Sequence, residues 1–323
     1  MRAVSASIVM PMNPIMAISA GICSAVAVFS IVFGTVLAFP LFYLAPLPLY
    51  LAGLGLGSKG VIMAGLTAVF TAGLIGNAYT ALPYAFAYAV PAIMMCQLAL
   101  RTEPDADGKP SWYPAGQLIG TLTVVGGFSL VFFAMMTIMD ERSAPLQDTV
   151  AGIISHALDR AGPEIPADAR DMLTMGLAPF FPGMAVASWI VMHLVNAALG
   201  QKALVKSDRN LRPRISYANI TLPDWCSWVL VGAGLCALIG PGDWSYLGRN
   251  LVIVALVPFF LLGLAVVHTY VRRSSFGTLM IISFYILLLV LWWAAFAVAC
   301  AGVVEQWIGL RNRMQPVNDQ EKE

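Results

Sequence analysis

The stretch FGTLMIISFYILLLVLWWAAFAVACAGVV, Phe276 to Val304, runs for 29 residues without a charge. As one helix it would measure about 43 Å, against roughly 30 Å of bilayer hydrocarbon. An uncharged run of this length reads as membrane-embedded. Two readings of its path stay open. A single tilted crossing would carry Arg311 and Arg313 to the far side. Two short crossings, turning near Trp292 and Trp293, would return them to the near side, yet no Gly or Pro lies between Phe284 and Ala301 to make that turn.

The rest of the chain agrees with this beginning. It is 59% hydrophobic and 11% charged, with a mean hydropathy of +0.80, whereas a soluble domain is about a quarter charged. Further apolar runs lie at 15–39, 41–57, 60–77, 79–100, 115–139, 177–199, 225–241 and 248–271. The expected fold is all-α, a polytopic transmembrane helical bundle with about eight to ten membrane segments. Its expected divisions are an N-terminal bundle of five spans over 1–139, a non-cytoplasmic amphipathic loop over 140–176, a C-terminal bundle over 177–310 and a polar tail over 311–323. Pro46 and Pro48 predict a kinked or broken helix in the second run, which neighbouring helices would have to satisfy. The first run is too long for a signal-peptide core and reads as a retained span.

Charge sorts the loops. With the N-terminus in the cytoplasm, Lys59, Arg101, Lys109, the loop carrying Lys202, Lys206, Arg209, Arg212 and Arg214, and the pair Arg272-Arg273 all fall inside. The acid-rich segment 140–176 falls outside, as the positive-inside rule requires. Within that segment Val150, Ile153, Ile154, Ala157 and Leu158 share one helical face that Gly162-Pro163 would end, and a second short helix can begin near Pro166. The expected topology is multi-pass, with the N-terminus cytoplasmic.

Polar groups inside spans are expensive and are functional candidates by default. Trp189, His193 and Asn196 recur at i, i+4 and i+7, on one face, with Gly200 continuing the row. Tyr84 and Tyr88 are one turn apart, with Asn77 and Gln97 in the flanking sequence. Together Tyr84, Tyr88, Trp189, His193 and Asn196 form a candidate substrate-binding set, aromatics to stack on a flat solute and amides to orient it. The plainer reading is interhelical hydrogen bonding. Small residues form two rows, Ala64, Ala68, Ala72 and Gly76 in one run and Ala17, Gly21 and Ala25 in the first, suited to close helix packing.

No catalytic residue is expected. Three scattered histidines and five cysteines without a C-x-x-C give no triad or metal constellation, and no P-loop offers ATP hydrolysis. GLGLG at 53–57 follows a membrane segment rather than a strand and is not a nucleotide loop. Nothing in a net charge of +1 calls for nucleic acid, and no cofactor or metal is expected. Glu305 is expected to pair with Arg311 or to meet headgroups, and His268 to anchor an interface.

Three pieces carry a resemblance: LPDWCSW at 222–228, RNLVIVALVPFFLLGLAVVH at 249–268 and AGVVEQWIGLRNR at 301–313. They resemble the bacterial multi-pass membrane proteins of domain of unknown function 2232, also called YybS-like. In the last piece the acid is Glu305, and Leu310 stands where the family commonly has an aromatic. The resemblance implies a distant likeness to S-components of energy-coupling-factor transporters, small bundles that bind a solute within the membrane. These dock on a membrane partner through small residues of the first helix, a role that would fall to Ala17, Gly21 and Ala25. This chain is longer than such a component. The expected partners are the lipid bilayer, a membrane-embedded ATPase module or other membrane proteins, and a small-molecule solute. The other function class is a non-transporting scaffold or assembly factor for envelope or division machinery.

Overall fold

The computed structural model describes residues 13–34, 36–104, 108, 110–140, 144–161, 165–215, 220–271, 276–291 and 293–313. Helix dominates them, as it must in hydrocarbon, where each backbone N–H and C=O has to find its partner within its own segment. Among the described residues, seven helices are long and apolar enough to cross a bilayer, or eight if one bent pair counts as a crossing. The chain is an all-α polytopic helical bundle. Lys109, Glu141, Arg142, Gly162, Pro163, Glu164, Arg272, Arg273 and Trp292 lie outside the described residues.

Helix α1 (Pro14–Phe29) starts behind Asn13, whose side chain accepts from the Ile15 N–H at 3.0 Å. It tightens into a 3-10 turn at Ser30–Phe33 and stops at Gly34, in the left-handed region at φ 61°. The run from 15 to 39 is therefore cut short of its expected end. The second crossing is broken as its prolines predict: α2 (Ala38–Tyr43) and α3 (Leu47–Leu56) flank an interruption ending at Pro46. Next come α4 (Ser58–Gly76), α5 (Ala78–Tyr84), a π turn (Ala85–Ala89) and α6 (Val90–Ala99). A small antiparallel ribbon, β1 (Thr102–Pro104) with β2 (Pro110–Trp112), sets Glu103 opposite Ser111. Then follow α7 (Ala115–Ile138), α8 (Leu146–Ala161), α9 (Ala167–Leu177), α10 (Phe181–Lys206), α11 (Trp225–Ile239) and α12 (Asp243–Val271). The chain closes with α13 (Gly277–Val290), α14 (Ala294–Ile308) and α15 (Leu310–Arg313).

Contacts group the chain into two units, and the grouping differs from the linear division expected above. The first takes the residues up to 118 together with 191–215; the second takes 119–190 and the residues from 216 on. Most of α7 thus packs with C-terminal helices, and the last part of α10 packs with N-terminal ones.

In the first unit, α1 lies along α4 through both small-residue rows. Ala17, Ala25, Ala64, Ala68 and Ala72 are fully buried. A Cβ on Gly21 would collide with the Ala64 carbonyl oxygen, and one on Gly76 would reach Phe29, so the two helices run parallel. Without a hydrophobic drive between helices in lipid, such close backbone approach supplies the dispersion energy that joins them.

In the second unit, Gly126 meets Val186 and Ile190, and Gly248 packs on the backbone of Cys236 and Ala237. Gly263 faces Val298 while Gly302 faces Phe259, a crossed pairing that makes α14 antiparallel to α12. Leu146, Val150 and Ile154 form the buried row of α8, whose first N–H is taken by Asp243 Oδ1 at 3.0 Å. Arg170 joins α9 to α8 through Asp159 at 2.7 Å, and Met172 of α9 stays exposed.

The uncharged run from Phe276 to Val304 holds two helices. The chain bends by 118° from α13 to α14, with Leu291 extended (φ −105°, ψ 96°) at the break. No Gly or Pro is used. Beyond α14, Gly309 turns left-handed (φ 64°), and Arg311 swings back to Glu305, with Nε donating to Oε1 at 2.7 Å and its backbone N–H to Oε2 at 3.0 Å. Arg311 also donates to the Ile220 carbonyl at 2.7 Å, and Gln306 to that of Leu222 at 3.1 Å. The corner between α14 and α15 is thereby tied to the segment that leads into α11.

Candidate functional site

Two irregular spans create the site. The break between α2 and α3 leaves backbone carbonyls without the donors a continuous helix would give them. Ser24 of α1 donates to one, Ala45 O, at 2.6 Å. Its single proton being spent there, Ser24 Oγ accepts from the Tyr84 hydroxyl, also at 2.6 Å. Tyr84 stacks on Tyr88, with ring centroids 5.2 Å apart and planes 26° apart, and Tyr88 meets Phe42 of α2 edge-on at 6.0 Å. Ser24, Tyr84 and Tyr88 are buried and Phe42 is half-buried, and the Tyr88 hydroxyl makes no hydrogen bond among the described residues.

The second irregularity is the π turn. Pro91 has no N–H, so the Ala87 carbonyl lacks its ordinary i+4 donor. His193 Nε2 fills the place at 2.9 Å. A carbonyl only accepts, so Nε2 carries the proton, and Nδ1 accepts from the Tyr50 hydroxyl at 3.0 Å. One turn on, Asn196 Nδ2 donates to Tyr43 O at 2.8 Å and to Met192 O at 2.7 Å. Both neighbours are acceptors, which fixes the orientation of the amide. Asn196 Oδ1 then points where no donor among the described residues meets it, at a position with no solvent exposure. A buried acceptor left this way costs about 1–3 kcal/mol until something donates to it.

Ser24, Tyr50, Tyr84, Tyr88, His193 and Asn196 each lie within about one turn of the middle of their spans. The first unit therefore carries a polar layer at mid-depth. No Asp, Glu, Lys or Arg occurs in α1, α2, α3 or from Ala78 to Ala99, nor in α10 before Lys202.

Of the residues singled out from sequence, Tyr84, Tyr88, His193 and Asn196 come together in this unit. Trp189 is half-buried, one turn before His193, and falls in the other unit. Gly200 continues the row by seating α10 against Tyr50. Asn77 and Gln97 do not join: both are exposed, and Asn77 (φ 126°) caps α5 by accepting from the Tyr79 N–H at 2.9 Å. Ala17, Gly21 and Ala25 are covered by α4 within the unit, so this row presents no docking face to a partner; the small side chains are used up in the α1–α4 contact. Ser24 and Tyr50 complete the layer and were missed. Their signal was weak, a hydroxyl beside a small-residue row and a tyrosine just after a proline pair.

A family model described as predicted membrane protein (DUF2232) matches residues 21–305. The chain belongs to this family. The match takes in every residue of the polar layer and both irregular spans, and it ends at Glu305, before the returning Arg311. No curated protein and no solved structure matches the chain.

Proposed function

We propose that this DUF2232 member binds a small, uncharged, hydrogen-bond-donating solute at the mid-depth layer of its first unit, as part of a transport process in the bacterial inner membrane. The observation that carries this reading is the buried Asn196 Oδ1, donorless among the described residues, in the unit that also holds the stacked Tyr84–Tyr88 pair. Interrupted helices with polar groups at mid-membrane are the usual construction of intramembrane solute sites. Absence of charge around the layer argues for a neutral solute, since an ion buried there would have no counter-charge. Aromatic faces favour a flat one. The protein acts as an S-component-like binder without catalysis of its own, its N-terminus cytoplasmic, and takes its energy from a partner ATPase module or an ion gradient.

The test is gentle purification from native membranes, followed by mass spectrometry of accompanying small molecules and proteins. A stoichiometric neutral metabolite, with or without an ATPase partner, is expected. Envelope or division proteins without a bound solute would favour the scaffold reading. That reading draws support from α9, where Met172 and Met175 stay exposed on the segment 140–176.

A further inference from the structure

One end of the first unit gathers positive charge on a rigid frame. Leu211 N–H donates to Leu54 O at 3.2 Å, and Leu204 sits against Gly55, which fixes the segment after α10 beside the α3–α4 turn. Arg212 is buried and serves as a strut, donating to Ala99 O at 3.0 Å and Tyr113 O at 2.8 Å. Gln201 in turn donates to Arg212 O at 2.7 Å. This frame holds Lys59 of the α4 first turn near Lys202, Lys206, Arg209 and Arg214, all of them exposed. The acids among the described residues of this unit are Glu103, which pairs with Arg101 at 2.7 Å, and Asp208. Lys59, Lys202, Lys206, Arg209 and Arg214 make no ion pair among the described residues.

These residues lie in the first turn of α4 and in or just beyond the last turns of α10, both membrane-length helices, where lipid headgroups would flank them. Fixed positive charge there complements phosphate, and each basic residue beside an anionic surface contributes about 1 kcal/mol, roughly a fivefold bias. We propose that this end of the first unit is a binding surface for anionic phospholipid headgroups. The inference stands apart from the solute site, which lies at mid-depth and holds none of these residues.

The experiment places the full-length protein in mixed micelles of phosphatidylglycerol and phosphatidylcholine and counts retained lipids by native mass spectrometry. The wild type should retain phosphatidylglycerol in preference, and the preference should fade in about 1 M salt, where the screening length shrinks to about 3 Å. A Lys59→Gln/Lys202→Gln/Lys206→Gln/Arg209→Gln variant should lose at least about fivefold of it. Arg249→Gln, in the second unit, should keep it. Equal retention of the two lipids by the wild type overturns the proposal, as does an unchanged preference in the quadruple variant. Displacement by millimolar soluble glycerol phosphate, or an acidic protein found in place of the lipid, overturns it too. Should the quadruple variant fail to insert, the wild-type salt series decides alone.

Discussion

His193 and Asn196 sit one turn apart and are both fully buried, yet their removal should have unequal effects on stability. In His193→Leu, the Ala87 carbonyl loses the imidazole donor and the buried Tyr50 hydroxyl loses its acceptor. Hydrogen bonds between membrane helices average about 0.6 kcal/mol, and buried groups left unsatisfied reach about 1–3 kcal/mol each. The stranded Tyr50 hydroxyl sets the scale, and the unfolding free energy should fall by about 1–3 kcal/mol. In Asn196→Leu, the donor to Tyr43 O goes, but so does the Oδ1 acceptor that nothing satisfies. These effects oppose, and the net change should stay within about 1 kcal/mol. Unfolding in mixed dodecylmaltoside and dodecyl sulfate, followed by circular dichroism, measures both. In protein stripped of bound solute, Asn196→Leu proving as destabilising as His193→Leu would refute the reasoning, because Oδ1 would then have a protein partner of its own.

Three further outcomes are expected. Ser24→Ala should cost about 1 kcal/mol, and a double-mutant cycle with Tyr84→Phe should give a coupling of at least about 0.5 kcal/mol, since the two hydroxyls share one bond; additive effects would deny it. Glu305→Gln strands the Arg311 guanidinium in a pair whose side chains are only 5% and 12% exposed, so thermal unfolding should report a loss of about 3 kcal/mol, and Glu305→Gln/Arg311→Gln a smaller one. Gly302→Ala places a methyl group against the Phe259 carbonyl and 2.8 Å from Gly263 N, forcing α12 and α14 apart; a melting temperature like the wild type's would contradict the close approach that an overpacking penalty of about 1–3 kcal/mol assumes.

Much of this architecture can be read in the residues. Length and apolarity mark each span, because hydrocarbon leaves the backbone no alternative to helix. Pro46 and Pro48 announce the broken second crossing, and the Glu305–Arg311 pair follows from two charges placed just past an apolar run. The polar layer is legible in part: Tyr84, Tyr88, His193 and Asn196 stand out as polar groups inside spans. Their partners do not, since Ser24 and Tyr50 join through contacts between segments distant in sequence. The π turn has a sequence signal in Pro91, four residues after Ala87, but only the arrival of His193 shows that the carbonyl is used. The small-residue row of α1 reads equally well as an inward or an outward face, and α4 decides it. The break between α13 and α14 has no Gly or Pro to announce it.

The account rests on solute binding at the mid-depth layer, and one comparison tests that most directly. Wild type and the His193→Leu/Asn196→Leu variant would be purified in parallel from the same membranes, brought to equal monodisperse protein, and denatured to release small molecules for mass spectrometry. A neutral compound near one equivalent in the wild type and absent from the inserted variant is the predicted result. The same compound at the same stoichiometry in both, or none in either, would contradict the account and leave the layer as the means by which two irregular spans satisfy their backbone.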